Sequence, residues 1–154
     1  MTSPRANHSL VGLRLILGAL GNLISKNTGQ AVNITQPCVD CSIVVGAENT
    51  NVRAITIQLK DAEGNDIDYV ETVEIILFLN AARTAFVATG GSTGIAIGTD
   101  GALLALVAKK HFLATSEADG DIDLTWTDTG TEAAYLGVRL PNGRVVMSDA
   151  LTNA

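Results

Sequence analysis

Aromatic side chains are scarce in this chain of 154 residues, which contains three Phe, two Tyr and one Trp. Proteins that bind single-stranded nucleic acid stack the bases on aromatic rings and follow the backbone with a basic groove. Here the rings are few, and the formal net charge of −6 opposes contact with phosphates. The composition therefore argues against nucleic-acid binding.

Long apolar runs are also lacking. A membrane-spanning helix needs roughly 20 consecutive apolar residues, and the most apolar stretch, from Ser9 to Ser25, is interrupted by Arg14. A cleaved signal peptide needs a small-x-small site, and none follows Ile24. We therefore expect neither a membrane span nor a removed leader.

Catalytic motifs are missing as well. The sequence contains no G-x-S-x-G, no phosphate-binding loop and no H-E-x-x-H, and its two histidines are His8 and His111. His111 follows Lys109 and Lys110, which favours a surface or strand-end position over a general base. We expect a protein that is not an enzyme, with no catalytic residue and no cofactor.

The two cysteines, Cys38 and Cys41, form a C-x-x-C motif. A zinc site needs two further ligands, and no second such motif is present. A thioredoxin-like redox pair needs a strand-to-helix setting, whereas this pair follows Pro37 among β-like segments. The main expectation is a pair of structural thiols, with a local disulfide or a metal shared between subunits as alternatives.

A cluster of acidic residues, Glu117, Asp119, Asp121 and Asp123, superficially resembles a calcium-binding loop. The spacing of an EF-hand fails, because the twelfth position falls on Gly130 where that loop needs Glu. A hairpin turn that leads into a strand with Asp121 and Asp123 on its solvent-exposed face explains the cluster better. No metal site is predicted.

The charge divides unevenly along the chain. Residues 1–60 contain five Lys or Arg and two Asp or Glu, whereas residues 61–154 contain five and fourteen. Together with the change from a Leu- and Gly-rich leader to β-like segments, this predicts an N-terminal arm and linker over residues 1–50 and a β domain over residues 51–154.

The form of the arm is left open between a short helix and an extended segment. Leucines and an isoleucine recur at helical 3-4-3-4 spacing, but Gly12, Gly18 and Gly21 each cost about 1 kcal/mol inside a helix. Residues 11–18 also fit an extended segment. Either form presents an apolar surface that the chain's own domain or another subunit must cover. The predicted partner-binding residues are Leu10, Leu13, Arg14, Leu17, Leu20 and Ile24.

From Ala31 onward, short β-favouring segments alternate with turns rich in Gly, Asn and Asp, a pattern typical of an all-β sandwich. In IDLTWT, residues 122, 124 and 126 are apolar and the residues between them polar. Residues 102–108, ALLALVA, combine high helix propensity with no alternation and are interpreted as one or two helical turns. The predicted strands cover residues 32–35, 42–45, 52–60, 70–79, 85–88, 94–97, 112–115, 122–127, 133–140 and 144–148.

Two segments, ITIQLKDAEGNDI and ATSEADGDIDLTWTDTGTEAAYLGVRL, resemble bacterial immunoglobulin-like modules of the invasin type. In those modules a strand leads into D-x-x-G, and a second acidic turn precedes a closing strand with Tyr. Residues 1–50 have no counterpart there, and Ser116-Glu117 stands where the family has Thr-Asp. The resemblance implies a mainly β, immunoglobulin-like β-sandwich preceded by an arm or short helix. The matching positions are Asp61, Gly64, Asp119, Gly120, Leu124, Thr127 and Tyr135.

The closing element, residues 135–140 followed by Pro141-Asn142-Gly143-Arg144, resembles small structural proteins of tailed-phage virions, including capsid decoration or cement proteins. That resemblance implies a protein made in the host cytoplasm that binds the major capsid protein on the virion surface. The arm supplies the contact, and a homo-oligomer, with a trimer favoured, is expected. The alternative is an immunoglobulin-like module of a phage fibre, tail accessory protein or bacterial adhesin that binds a host receptor. Neither hypothesis involves a membrane or nucleic acid.

Overall fold

The computed structural model describes residues 15–17, 23–25, 31–32 and 36–154. All regular structure in these residues is β-strand, and the chain divides into two compact units, Met1–Gln36 and Pro37–Ala154. The mainly β fold class predicted from the sequence is therefore confirmed.

The first unit contains three short strands, β1 (Leu15–Leu17), β2 (Leu23–Ser25) and β3 (Ala31–Val32). They pair antiparallel in the order β1-β2-β3. The helical alternative is therefore wrong for Leu17 and Ile24, which lie in strands, and the cost of the interspersed glycines in a helix explains why. The remaining predicted partner-binding residues, Leu10, Leu13, Arg14 and Leu20, lie outside the described residues, as do residues 33–35 of the first predicted strand.

The second unit is an immunoglobulin-like β-sandwich of two antiparallel sheets. One sheet has the strand order β4-β5-β10-β7, and the other has the order β12-β11-β6-β9-β8. Consecutive strands often lie in different sheets, so the chain crosses repeatedly between the two layers. The strands are β4 (Asp40–Val45), β5 (Val52–Lys60), β6 (Thr72–Phe78), β7 (Gly94–Ile97), β8 (Ala102–Val107), β9 (His111–Thr115), β10 (Asp121–Thr127), β11 (Tyr135–Arg139) and β12 (Val145–Ala150).

The core forms because apolar residues recur at every second position of the strands that face each other. Strand β10 lies between β5 and β7 and buries Ile122, Leu124 and Trp126, as its alternating sequence predicts. In β5 the predicted apolar face of Ile55, Ile57 and Leu59 is likewise buried. The second sheet contributes residues 73, 75 and 77 of β6 and residues 136 and 138 of β11.

Three predictions about the elements need correction. Strand β4 belongs to the sandwich, so this domain begins at Pro37 and not at residue 51. Residues 102–108 were interpreted as helical, but β8 pairs with β9 there, because tertiary pairing overrides helix propensity in so short a segment. Residues 85–88 form no strand, and the segment touches its neighbour through a single bridge from Phe86 to Phe78.

The two lateral sides of the sandwich differ. On one side β12 lies beside β4, where Arg144 Nη1 forms an ion pair with Asp40 Oδ2 at 2.9 Å. The side-chain amide of Asn142 donates to the carbonyl of Val39 at 3.2 Å on the same side. On the other side, β7 and β8 are both end strands of their sheets. Both sides therefore carry end strands of the two sheets, and the β4–β12 side is linked by the two polar contacts just described.

Residues after β12 fasten the sandwich at the end where β10 finishes. Asn153 is 2% exposed, and its side-chain amide donates to the carbonyls of Asn51 at 2.7 Å and Asp128 at 2.8 Å. Its Oδ1 accepts from Arg53 Nε at 3.1 Å, while Arg53 Nη2 donates to the carbonyl of Thr152 at 2.9 Å. One side chain thus ties together three segments that are distant in sequence.

Replacing this side chain tests the arrangement. Asn153→Ala is expected to lower the free energy of unfolding by about 2–3 kcal/mol, because it leaves two carbonyls and one guanidinium nitrogen without their partner. Asn142→Ala removes an exposed side chain that donates to the carbonyl of Val39 and accepts from the amide of Arg144, and it should cost less than about 1 kcal/mol because water replaces both partners. Chemical denaturation of both variants checks the prediction, and equal losses would contradict it.

Candidate functional site

The C-x-x-C motif is a structural feature of the sandwich. Cys38 and Cys41 are both buried, both thiols are free, and Cys38 Sγ lies 3.7 Å from the carbonyl of Asp40. Burial raises the pKa of Cys41 to about 12 and also raises the pKa of Cys38, with the charge of Glu71 adding to the latter shift. Buried, protonated thiols are poor nucleophiles and poor metal ligands. Both thiols therefore lie in the core of the sandwich, and their structural role stays a prediction.

The state of these thiols yields a direct prediction. In the native protein at pH 8, a disulfide reagent such as Ellman's reagent should label less than about a tenth of the thiols in an hour, because both groups are buried and protonated. Unfolding in guanidinium chloride should release two reactive thiols per chain. Rapid stoichiometric labelling of the folded protein would contradict the assignment.

The acidic cluster lies in a tight turn that leads into β10, but the predicted hairpin is wrong, because β9 and β10 lie in different sheets and do not pair. The amide of Gly120 donates to the carbonyl of Glu117 at 3.1 Å, and the amide of Asp121 donates to Asp119 Oδ1 at 3.3 Å. Asp121 and Asp123 then alternate on the outer face of the strand. Asp119 and Glu117 line an open groove beside this turn, together with Gln58, Asp66, Asp68 and Asp100.

Sequence reasoning missed one member of this acidic cluster. Asp100 precedes β8 and comes close to β10, so that carboxylate oxygens of Asp100, Asp121 and Asp123 lie within 4.8 Å of one another. Asp123 Oδ1 accepts from Thr56 Oγ1 at 2.9 Å, whereas Asp121 Oδ1 is buried without a hydrogen-bond partner. Desolvation raises the pKa of Asp121, and the charge of Asp123 raises it further. Like charges are therefore crowded at this end of β10.

Asp121→Asn should stabilise the protein by about 0.5 kcal/mol at pH 7 in a chelating buffer, because it removes like-charge repulsion. The folded pKa of Asp121 lies above its ordinary value of 3.8, so the penalty develops as pH rises through that window. The advantage of the variant should vanish below about pH 3.8. Asp149→Asn at an exposed position serves as the neutral control. Thermal melts check both variants, and a lower melting temperature for Asp121→Asn at pH 7 would contradict the prediction.

One further carboxylate that looks available in the sequence, Glu132, is bound to loop backbone. Glu132 accepts hydrogen bonds from the amides of Thr89, Gly90 and Gly91 at 2.7–3.0 Å and from the Thr89 hydroxyl at 2.7 Å. Burial opposes ionisation of Glu132, but these hydrogen bonds outweigh it and lower the pKa of this group. Gly91 has φ +75°, and a Cβ there would lie 2.8 Å from the ring of Trp126. This carboxylate therefore shapes a loop and is committed to it.

His111 is the first residue of β9, which confirms the predicted strand-end position. Its Nε2 lies 2.9 Å from Glu74 Oε2, and Glu74 Oε1 accepts from Arg139 Nη1 at 3.1 Å. The hydrogen bond from His111 lowers the pKa of Glu74, and Arg139 adds to that effect. The three side chains form a charged group on the outer face of the five-stranded sheet, which explains why His111 is held there.

The most exposed apolar surface in the described part of the sandwich is strand β8. Leu104, Leu106 and Val107 are 62%, 50% and 51% exposed, and Ile97 at the end of β7 adds a further 39%-exposed side chain beside it. We call these four residues the β8 edge. Exposed apolar patches on an otherwise acidic surface mark sites of association. The sequence contains no sign of this surface. Residues 102–108 are nearly all apolar, so they show none of the alternation of apolar and polar residues that indicates a strand.

Comparisons with known proteins add little. No family model matches this chain, and no curated protein matches it. Among solved structures, the chain is similar to a cohesin module from a Clostridium perfringens ATCC13124 family 33 glycoside hydrolase, with 14% identity and a TM-score of 0.38 over 76% of this chain and 97% of that module. A likeness of this size transfers neither a partner nor an activity. In the described residues no helix is long and apolar enough to cross a membrane.

Proposed function

We propose that this chain is a non-enzymatic structural protein of a virion, a capsid decoration or cement protein that binds the major capsid protein lattice and stabilises the head. In this proposal the N-terminal unit, Met1–Gln36, makes the contact, and the sandwich is the outward body. The observation that carries the proposal is the division of the chain at Gln36, which separates the apolar leader from the sandwich.

The division also separates the charges more sharply than the sequence boundary at residue 50 does. Residues 1–36 contain two Arg, one Lys and no Asp or Glu, whereas residues 37–154 contain seven Lys or Arg and sixteen Asp or Glu. A cationic, apolar segment favours association with another protein surface, and a strongly acidic body favours solubility. This combination suits a protein that is attached to a larger assembly.

The chemistry of the sandwich supports a structural role over a catalytic one. Its buried cysteines are protonated, His111 is paired with Glu74, and Glu132 is bound to loop amides. An enzyme needs a nucleophile or base that is free to reach a substrate. His111 and Glu132 are instead used to hold the protein's own strands and loops.

Binding to undecorated capsids tests the proposal. The full chain should co-sediment with the capsids, and Leu13→Asp combined with Leu17→Asp should weaken binding at least about tenfold, because it places charge on two of the predicted apolar contact residues. Arg14→Glu should weaken binding by a smaller factor, and Val44→Asp on the body serves as the matched control. Thermal melts confirm that the variants fold.

Equal binding by the leader variants and the control would contradict attachment through the N-terminal unit. Saturable binding of the monomer to bacterial cells, without binding to capsids, would instead favour the alternative of a receptor-binding module. Both assays use the same set of full-length variants, so their outcomes are directly comparable.

A further inference from the structure

We propose that β8 is a self-association edge: β8 of one copy pairs antiparallel with β8 of a second copy about a two-fold axis. The pairing joins two five-stranded sheets into one sheet of ten strands. Strand β8 is the end of its sheet, so half of its backbone N–H and C=O groups point away from β9. An additional strand is the partner that satisfies these groups in a regular way.

The composition of β8 favours pairing. Natural edge strands carry Lys, Pro or inward-facing charges that prevent edge-to-edge association, whereas β8 reads Ala-Leu-Leu-Ala-Leu-Val. A bulge between Ala105 and Val107 affects one end of the strand, and Ala102–Ala105 stay in regular register with β9. The edges on the opposite side, β4 and β12, contain Asp40 and Asp149 and lie beside each other. End strands without a charged residue are therefore found only on the β7–β8 side of the sandwich.

Charge complementarity points to a second copy as the occupant. Asp100 lies two residues before β8, and Lys109 and Lys110 lie in the turn between β8 and β9. Antiparallel pairing places the acidic end of one β8 beside the basic end of the other, and the two-fold axis generates this contact twice. Lys109 Nζ already donates to the carbonyls of Gly91 and Ser92, whereas Lys110 forms no ion pair within the described residues. Lys110 is thus available to Asp100 of the second copy.

The same charges disfavour the chain's own leader as the occupant. Residues 1–36 carry only positive side chains, so a strand from that segment offers no carboxylate to Lys110. A second copy of β8 supplies both charges at matching ends. Because a two-fold edge contact closes after two copies, the proposed oligomer is a dimer, which replaces the trimer expected from the sequence.

Sedimentation velocity of the full chain over a range of concentrations tests the pairing. A six-residue edge with few flanking contacts is small, so we expect a concentration-dependent monomer–dimer equilibrium. Leu104→Lys should weaken dimerisation at least about tenfold, because it places a charge in the apolar edge. Val44→Lys is the matched control, since Val44 is 63% exposed on the edge strand β4. It should dimerise as the parent does.

A charge swap tests whether the two β8 strands pair in the antiparallel orientation. Lys110→Glu and Asp100→Lys should each weaken dimerisation about fivefold or more, and the double variant should recover to within about twofold of the parent. Hydrogen exchange provides a second readout, because outward amides of β8 should become protected as the protein concentration rises. Thermal melts confirm folding of each variant.

Three results would overturn the proposal. They are a protein that stays monomeric up to its solubility limit, a Leu104→Lys variant that associates as tightly as Val44→Lys, or a charge swap without recovery. None of these bears on attachment to capsids through the N-terminal unit. The failure of the two proposals can therefore be told apart.

Discussion

The sandwich depends on the hydrogen bonds that converge on Asp128 at the end of β10. Its backbone amide donates to the carbonyl of Asn51 at 3.1 Å, and its own carbonyl accepts from the buried amide of Asn153. The carboxylate accepts from the amides of Ser92, Gly130 and Glu132 at 3.0–3.2 Å. Segments from four parts of the chain thus meet at one residue that is 5% exposed. The strands can close into two sheets because the loops at this end share a common anchor.

The same use of carboxylates explains how a body with so many acidic residues stays compact. Backbone amides in tight loops need acceptors, and a carboxylate satisfies several of them at once. Asp61 accepts from the amides of Glu63 and Asn65, and Glu132 accepts from three consecutive amides in another loop. Negative charge at these positions is part of the architecture. By contrast, Asp121 Oδ1 is buried without a hydrogen-bond partner and lies close to the carboxylates of Asp100 and Asp123, so negative charge is costly at this position.

Elements of the fold are predictable from the sequence where the pattern that indicates them lies within one short segment. In β5 and β10, apolar and polar residues alternate within a single strand of nine and seven residues, respectively. Both strands match their predicted positions closely. Strand β8 has no alternation of apolar and polar residues, because its outward residues are apolar like the inward Leu103, and so its sequence resembles a helix. Asp100 joins Asp121 only through the crossing between the sheets, which periodicity does not encode. The contribution of β4 to the domain is equally non-local, since it depends on pairing with β5.

Carboxylates beside the two ends of β10 respond to acid in opposite ways. Hydrogen bonds from loop amides keep the pKa of Glu132 low, so the stability that this group supplies is retained in mildly acidic solution and lost as pH falls through that low value. The pKa of Asp121 is raised, so the penalty for its charge disappears as pH falls through that raised value. Mild acidification therefore stabilises the acidic cluster where β10 begins. Stronger acid then releases the loop that Glu132 holds beyond the other end of the strand.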